Sequence, residues 1–226
     1  MSQAPADTAP FADHTLADIA ARLPGATAVF RRRKLDFCCG GRVALAEAAA
    51  KKGVPLAELE SELDALAELG LPAAVPEDSG DLIALIEQRY HAIHRQELPE
   101  LVRLAKRVEA VHGGHHPLAP RGIAALLARM ADELESHMQK EEQVLFPLMW
   151  RGGHPMIGHP ISMMLAEHDD HGANLRELAV LAHDFVPPED ACPTWQALYA
   201  GARKLTDDLM EHIHLENNVL FPRFAG

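Results

Sequence analysis

Asp132-Glu133-Leu134-Glu135-Ser136-His137-Met138-Gln139-Lys140-Glu141, running on to Val144-Leu145-Phe146-Pro147, is matched further along by Asp207-Asp208-Leu209-Met210-Glu211-His212-Ile213-His214-Leu215-Glu216, running on to Val219-Leu220-Phe221-Pro222. Each segment carries a His-x-x-x-Glu pair. A spacing of four puts an imidazole and a carboxylate on one helix face, about one turn apart. One such pair on a helix is ordinarily a solvated couple. Two of them, in a full repeat, describe two faces turned toward a common point.

The repeat extends upstream. His91-Ala92-Ile93-His94 precedes Leu98 and Leu101, and His168-Asp169-Asp170-His171 precedes Leu175 and Leu178. The step from His91 to His137 is 46 positions and from His168 to His212 is 44, so the two halves share nearly one register. Internal repetition is a fold-level signal. It predicts two helical hairpins related by a pseudo-twofold axis.

The rest of the chain fits an all-α fold. Of 226 residues, 48% are apolar and only 5% aromatic, and Ala and Leu prevail over β-branched runs. Four long helical patterns cover roughly residues 81–111, 120–150, 160–184 and 194–221. Gly- and Pro-rich connections short enough for antiparallel neighbours join them. Pro99 falls inside the first and predicts a local kink, because it removes a ladder donor. Residues 13–69 read as a small domain of short helices, punctuated by Pro24-Gly25, Gly53 and the turn Cys38-Cys39-Gly40-Gly41. Four short helices bury little by themselves, so this domain is expected to dock on the larger one. Residues 70–80, with two prolines and two glycines, read as a linker. Residues 1–12 read as a disordered N-terminus and 81–226 as the four-helix bundle.

A net charge of -12 argues against nucleic acid or an anionic membrane as the main partner. No run of 18 apolar residues offers a membrane span, and the first residues lack a basic start and an apolar stretch, so no secretory signal is expected. Cys38 and Cys39 are neighbours whose bond would be strained, and Cys192 stands alone. Three such cysteines fit a reducing, cytoplasmic setting.

Chemistry gathers on the repeat. One His from each first helix, with His137, Glu141, His212 and Glu216, makes four imidazoles and two carboxylates, enough for two metal ions with the carboxylates bridging. By spacing alone, either His91 or His94, and either His168 or His171, could face inward. A mixed N/O set suits iron, manganese or zinc, and six donors shared by two ions leave positions open. His214 lies about 200° around the helix from His212 and should point away. Glu133 and Asp208, one turn before His137 and His212, could orient ligands or line a polar path, and Glu167 has a comparable standing. Arg31-Arg32-Arg33-Lys34 would give Cys38 and Cys39 a positive field that favours thiolate.

These motifs resemble one family. Asp36-Phe37-Cys38-Cys39-Gly40-Gly41, Arg89-Tyr90-His91, Ser136-His137-Met138-Gln139-Lys140-Glu141-Glu142, Glu167-His168-Asp169 and Leu215-Glu216-Asn217-Asn218-Val219-Leu220-Phe221-Pro222 together look like the di-iron "repair of iron centres" proteins. The resemblance covers nearly the whole chain. It implies a hemerythrin-like up-down four-helix bundle behind the small Cys-Cys domain. It selects His91 and His168, and so implies His91, His137, Glu141, His168, His212 and Glu216 as ligands of two non-haem iron ions. Two glutamates and an oxo group would bridge these ions, and no organic cofactor is expected. It implies repair of iron–sulfur clusters damaged under nitrosative or oxidative stress. Damaged iron–sulfur proteins would be partners and nitric oxide or dioxygen small ligands, with a homodimer left open. Glu133 and Glu167 would belong to the channel to the metals, and Cys38 and Cys39 would act in iron transfer, nitrosyl chemistry or client contact. The alternatives are a nitric oxide binder, scavenger or gas sensor without a client, or a nitric oxide reductase working through paired ferrous ions.

Overall fold

The computed structural model describes residues 11–71 and 75–224. Among these, every regular element is helical, and the only extended pairing is an isolated bridge between Thr15 and Ala44. The all-α expectation is met. The disorder expected for residues 1–12 falls, save for Phe11 and Ala12, outside the described residues, and so does the 72–74 part of the expected linker. Phe11 and Ala12 themselves belong to a 3-10 turn, Phe11–Asp13.

The N-terminal part contains α1 (Leu16–Arg22), α2 (Ala26–Arg32), α3 (Leu45–Lys52) and α4 (Leu56–Glu68). Thr15 caps α1 by accepting from the Asp18 amide, and Gly25 takes a left-handed φ of 90° that lets α2 start three residues after Leu23. Leu16, Ile19, Phe30, Leu35, Phe37, Leu45, Leu59 and Leu63 close into their own core.

Asp78 caps α5 (Ser79–Ile86), which passes through a π-helical turn, Glu87–His91, into α6 (Ala92–His112). The second bundle helix is α7 (Ile123–Lys140), a π turn Glu141–Leu145, and α8 (Phe146–Trp150). The third is α9 (Gly158–Leu181), and the fourth is α10 (Pro193–His214) with a π turn Leu215–Leu220. Helix α6 packs on α7 and α10, and α7 packs on α9. Pro99 lies within α6, which continues through it. The departures from α geometry come elsewhere, at the three π turns. In two of them the wide turn ends two residues before a proline, Pro147 or Pro222, which has no amide to give to the ordinary ladder.

Two apolar layers fill the bundle. One holds Leu98, Leu101, Leu134, Leu175, Leu205 and Leu209, and the other holds Leu82, Ile86, Tyr90, Leu145, Phe146, Leu220 and Phe221. Between them lies a polar layer. The N-terminal part docks beside it through Arg31 with Glu211 and Asp207, Lys34 with Asp184, and the Phe37 ring edge-on to His214.

Candidate metal centre

His91, His137, His168, His212, Glu141 and Glu216 are all at most 1% exposed. Six ionisable side chains in one dry layer would cost several kcal/mol per uncompensated charge. Their arrangement is ordered as two groups of four. His91, His212, Glu141 and Glu216 form one, and His137, His168, Glu141 and Glu216 form the other. Both carboxylates belong to both groups.

The oxygens divide evenly. In the first group His91 Nε2 is 3.5 Å from Glu141 Oε2, His212 Nε2 is 3.1 Å from Glu216 Oε1, and the two Nε2 atoms are 3.1 Å apart. In the second, His137 Nε2 is 3.4 Å from Glu141 Oε1, His168 Nε2 is 3.1 Å from Glu216 Oε2, and the Nε2 atoms are 3.0 Å apart. Donors bound at about 2.0–2.2 Å to one ion lie roughly 3.0–3.5 Å from one another. The pseudo-twofold that exchanges the sequence halves exchanges these two groups, and each draws one histidine from each half.

The outer ring nitrogens settle the proton positions. His91 Nδ1 lies 2.8 Å from Glu142 Oε1, His137 Nδ1 2.8 Å from Glu167 Oε2, and His168 Nδ1 2.6 Å from Asn217 Oδ1. Each partner atom is an acceptor, so each Nδ1 donates. The Asn217 amide is oriented by its own Nδ2, which donates to the Cys38 carbonyl at 3.3 Å. The Nε2 atoms of His137 and His168 are then two lone pairs facing each other, an arrangement that calls for a cation between them. Glu141 is wholly buried, and neither of its oxygens has a hydrogen-bond partner among the described residues. Burial pushes the His137 imidazole down, yet the Glu141 and Glu167 carboxylates outweigh it and lift it to about 10. The protein without metal thus draws a proton into a place suited to a metal ion, and the residues fit the group.

The repeat also explains Val-Leu-Phe-Pro. In the π turns the Phe146 amide reaches back five residues to the Glu141 carbonyl, and the Phe221 amide reaches the Glu216 carbonyl. That register stacks Phe146 on His91 (ring centroids 5.8 Å apart) and Phe221 on His168 (5.9 Å). The symmetry fails at one point. Glu167, just before His168, holds His137, but Tyr90, just before His91, stacks on His212 at 5.6 Å. His212 Nδ1 is left without a partner among the described residues.

The other expected residues separate. His94 and His171 are buried against His212 and His137 but belong to neither group of four. Burial, then the imidazoles of His137 and His168, drive His171 down to about 3. His214 points away from the metals, as its helix angle requires. It is nonetheless buried, against Phe37 and Asn218, and burial lowers it to about 4. Glu167 reaches His137 and, through Oε1, Lys140 Nζ at 2.6 Å. The bond from His137 and that from Lys140 hold its carboxyl down at about 2. Glu133 accepts from Asn174 at 2.7 Å on an exposed face, and Asp208 is taken up by Arg89 and Lys204. Neither touches a ligand imidazole. Glu142 and Asn217, which do, were not singled out from the sequence, although each follows the glutamate of its repeat.

The positive field expected around the cysteines does not form. Arg31 turns to Glu211 and Asp207, Arg32 and Arg33 to Glu62, and Lys34 to Asp184. Cys38 is buried, with its Sγ 3.7 Å from Cys39 Sγ and 3.3 Å from Asp36 Oδ1. Hydrogen bonding to Cys39, then burial and the Asp36 carboxylate, push its thiol well above the usual range. Cys39 donates to the backbone carbonyl of His168 at 3.3 Å, which sets the cysteine turn directly behind a histidine of the metal layer.

Comparison with known proteins agrees with both parts. The Hemerythrin HHE cation binding domain matches residues 83–224, and a Domain of Unknown function (DUF542) matches residues 12–67. The chain is similar to the "Iron-sulfur cluster repair protein YtfE" of Pectobacterium carotovorum subsp. carotovorum (strain PC1), with 45% identity over 94% of this chain and 97% of the relative. It is 46% identical to the protein of that name from Yersinia pseudotuberculosis serotype IB (strain PB1/+), and 45% identical to that from Dickeya chrysanthemi (strain Ech1591), over the same shares of each chain.

Proposed function

This chain belongs to the family of iron–sulfur cluster repair proteins built on a hemerythrin HHE domain, and on that premise we propose that it restores damaged iron–sulfur clusters by means of a di-iron centre. The observation that carries this reading is the division of Glu141 and Glu216, each giving one oxygen to either histidine pair. Iron bound there would supply redox chemistry and open positions for a small ligand such as nitric oxide or dioxygen.

The chain's own residues do the rest. His91 and His212 would hold one ion, His137 and His168 the other, and Glu141 and Glu216 would serve both. Glu142, Glu167 and Asn217 fix three of the imidazoles in the tautomer that presents Nε2 inward. Phe146 and Phe221 close the layer on one side, which keeps bulk water off the bridging carboxylates. The Glu167–Lys140 pair is a part-exposed polar edge of the layer and supports a path by which ions or protons reach His137. Among the described residues no helix is long and apolar enough to cross a membrane.

The deciding assay takes an iron–sulfur dehydratase inactivated by nitric oxide and adds the iron-loaded protein. Recovery of dehydratase activity that depends on the added protein is expected. Nitric oxide consumption without recovery would replace repair with scavenging or reduction.

A further inference from the structure

We infer that Asp36, Cys38 and Cys39 form a third metal site, separate from the bundle's six ligands, that takes one thiophilic divalent cation such as ferrous iron or zinc. One donor atom from each of the three lies within 4.8 Å of the other two. Two sulfurs bound at about 2.3 Å to one tetrahedral ion stand roughly 3.75 Å apart. Cys38 Sγ and Cys39 Sγ are 3.7 Å apart. A sulfur and a carboxylate oxygen on the same ion would be separated by about 3.5 Å on the same bond lengths. Asp36 Oδ1 and Cys38 Sγ are separated by 3.3 Å. The His168 carbonyl, 3.3 Å from Cys39 Sγ, is a further oxygen beside the thiol pair.

The surroundings keep this place open. Gly172 lies in the middle of α9, where glycine is a poorer helix former than alanine. A Cβ there would stand 3.2 Å from Cys39 Sγ, so the helix gives up a side chain where the thiol needs room. The turn itself is rigid. Asp36 Oδ1 accepts the amides of Cys38 and Cys39, at 3.2 and 3.0 Å, and Asn217 and Asn218 donate to the Cys38 carbonyl, each at 3.3 Å. No hydrogen bond falls on Asp36 Oδ2 among the described residues, so the carboxylate can meet a cation through Oδ1, already at ligand distance from Cys38 Sγ, or through Oδ2 while Oδ1 keeps the loop. The site therefore stands one residue's width behind His168, between the bundle's metal layer and the outside of the N-terminal part. An ion held there occupies a staging position for loading or release of the layer. The binding itself does not depend on the repair role.

The test uses the full chain with its bundle centre loaded with iron, titrated with cobalt(II) under reducing, oxygen-free conditions. One further equivalent should bind with a thiolate-to-cobalt charge-transfer absorption. Cys39→Ser should remove that absorption and Cys192→Ser should leave it. Asp36→Asn keeps an oxygen for the two loop amides and should weaken cobalt binding by about tenfold or more. Bundle iron measured in the same samples should stay constant, which separates this site from the di-iron reading. Absence of the absorption, its loss with Cys192→Ser, or an Asp36→Asn protein that binds as tightly as the parent would overturn the inference. In that last case Asp36 only holds the turn.

Discussion

Glu216→Ala, and equally Glu141→Ala, is expected to strip the bundle of both ions, while His91→Ala is expected to remove one. The asymmetry follows from the oxygens. Each carboxylate stands within 3.1–3.5 Å of a histidine in both groups, whereas each imidazole faces a single group. Loss of a carboxylate leaves each ion with two imidazoles and one oxygen, and also removes half the negative charge that offsets two dications. Metal analysis after iron-replete expression should find under about half an ion per chain in either glutamate variant and about one in His91→Ala. The four imidazoles stay in place in the glutamate variants, so helix content should persist and the loss should be read as lost metal. A Glu216→Ala protein that keeps one tightly bound ion would show that each carboxylate serves one ion alone.

Removal of the metals should also destabilise the whole bundle. An ion held at a free concentration a thousand times its Kd contributes about 4 kcal/mol to the folded state. For a chain of this size each kcal/mol moves Tm by about 2–4 °C. The stripped protein is therefore expected to melt at least about 8 °C below the loaded one, and readdition of ferrous iron should restore the difference. The physical source is the polar layer. Without a cation, Glu141 keeps two buried oxygens without partners, and the Nε2 atoms of His137 and His168 face each other at 3.0 Å. Equal melting temperatures with and without metal would mean that the layer satisfies itself by protonation alone.

The centre was legible because its ligands repeat. His-x-x-x-Glu with an upstream histidine survives in the folded chain as a near-symmetric pair of groups, and Val-Leu-Phe-Pro proves to be the stacking floor under His91 and His168. Extending the repeat by one position would have found Glu142 and Asn217, which follow the two glutamates and hold those same histidines. The π turns were not legible. A period of 3.6 residues describes the apolar face on either side of an extra residue but not the extra residue itself, which turns the following side chains by about 100°. The choice between His91 and His94 was open to spacing for a related reason. Both are buried in the bundle, and only the set of the side chains places one within reach of the carboxylates. The cysteine turn misled in the other direction. Four basic residues precede it in sequence, but each of them turns to a carboxylate elsewhere, and Asp36 is the charged group in contact with Cys38.

The central claim is two ions sharing two carboxylates. It is tested most directly by iron analysis combined with Mössbauer spectra of the purified, iron-replete protein. About two irons per chain, magnetically coupled in the oxidised state, is the predicted result. One iron per chain, or two irons that show no coupling, would contradict it.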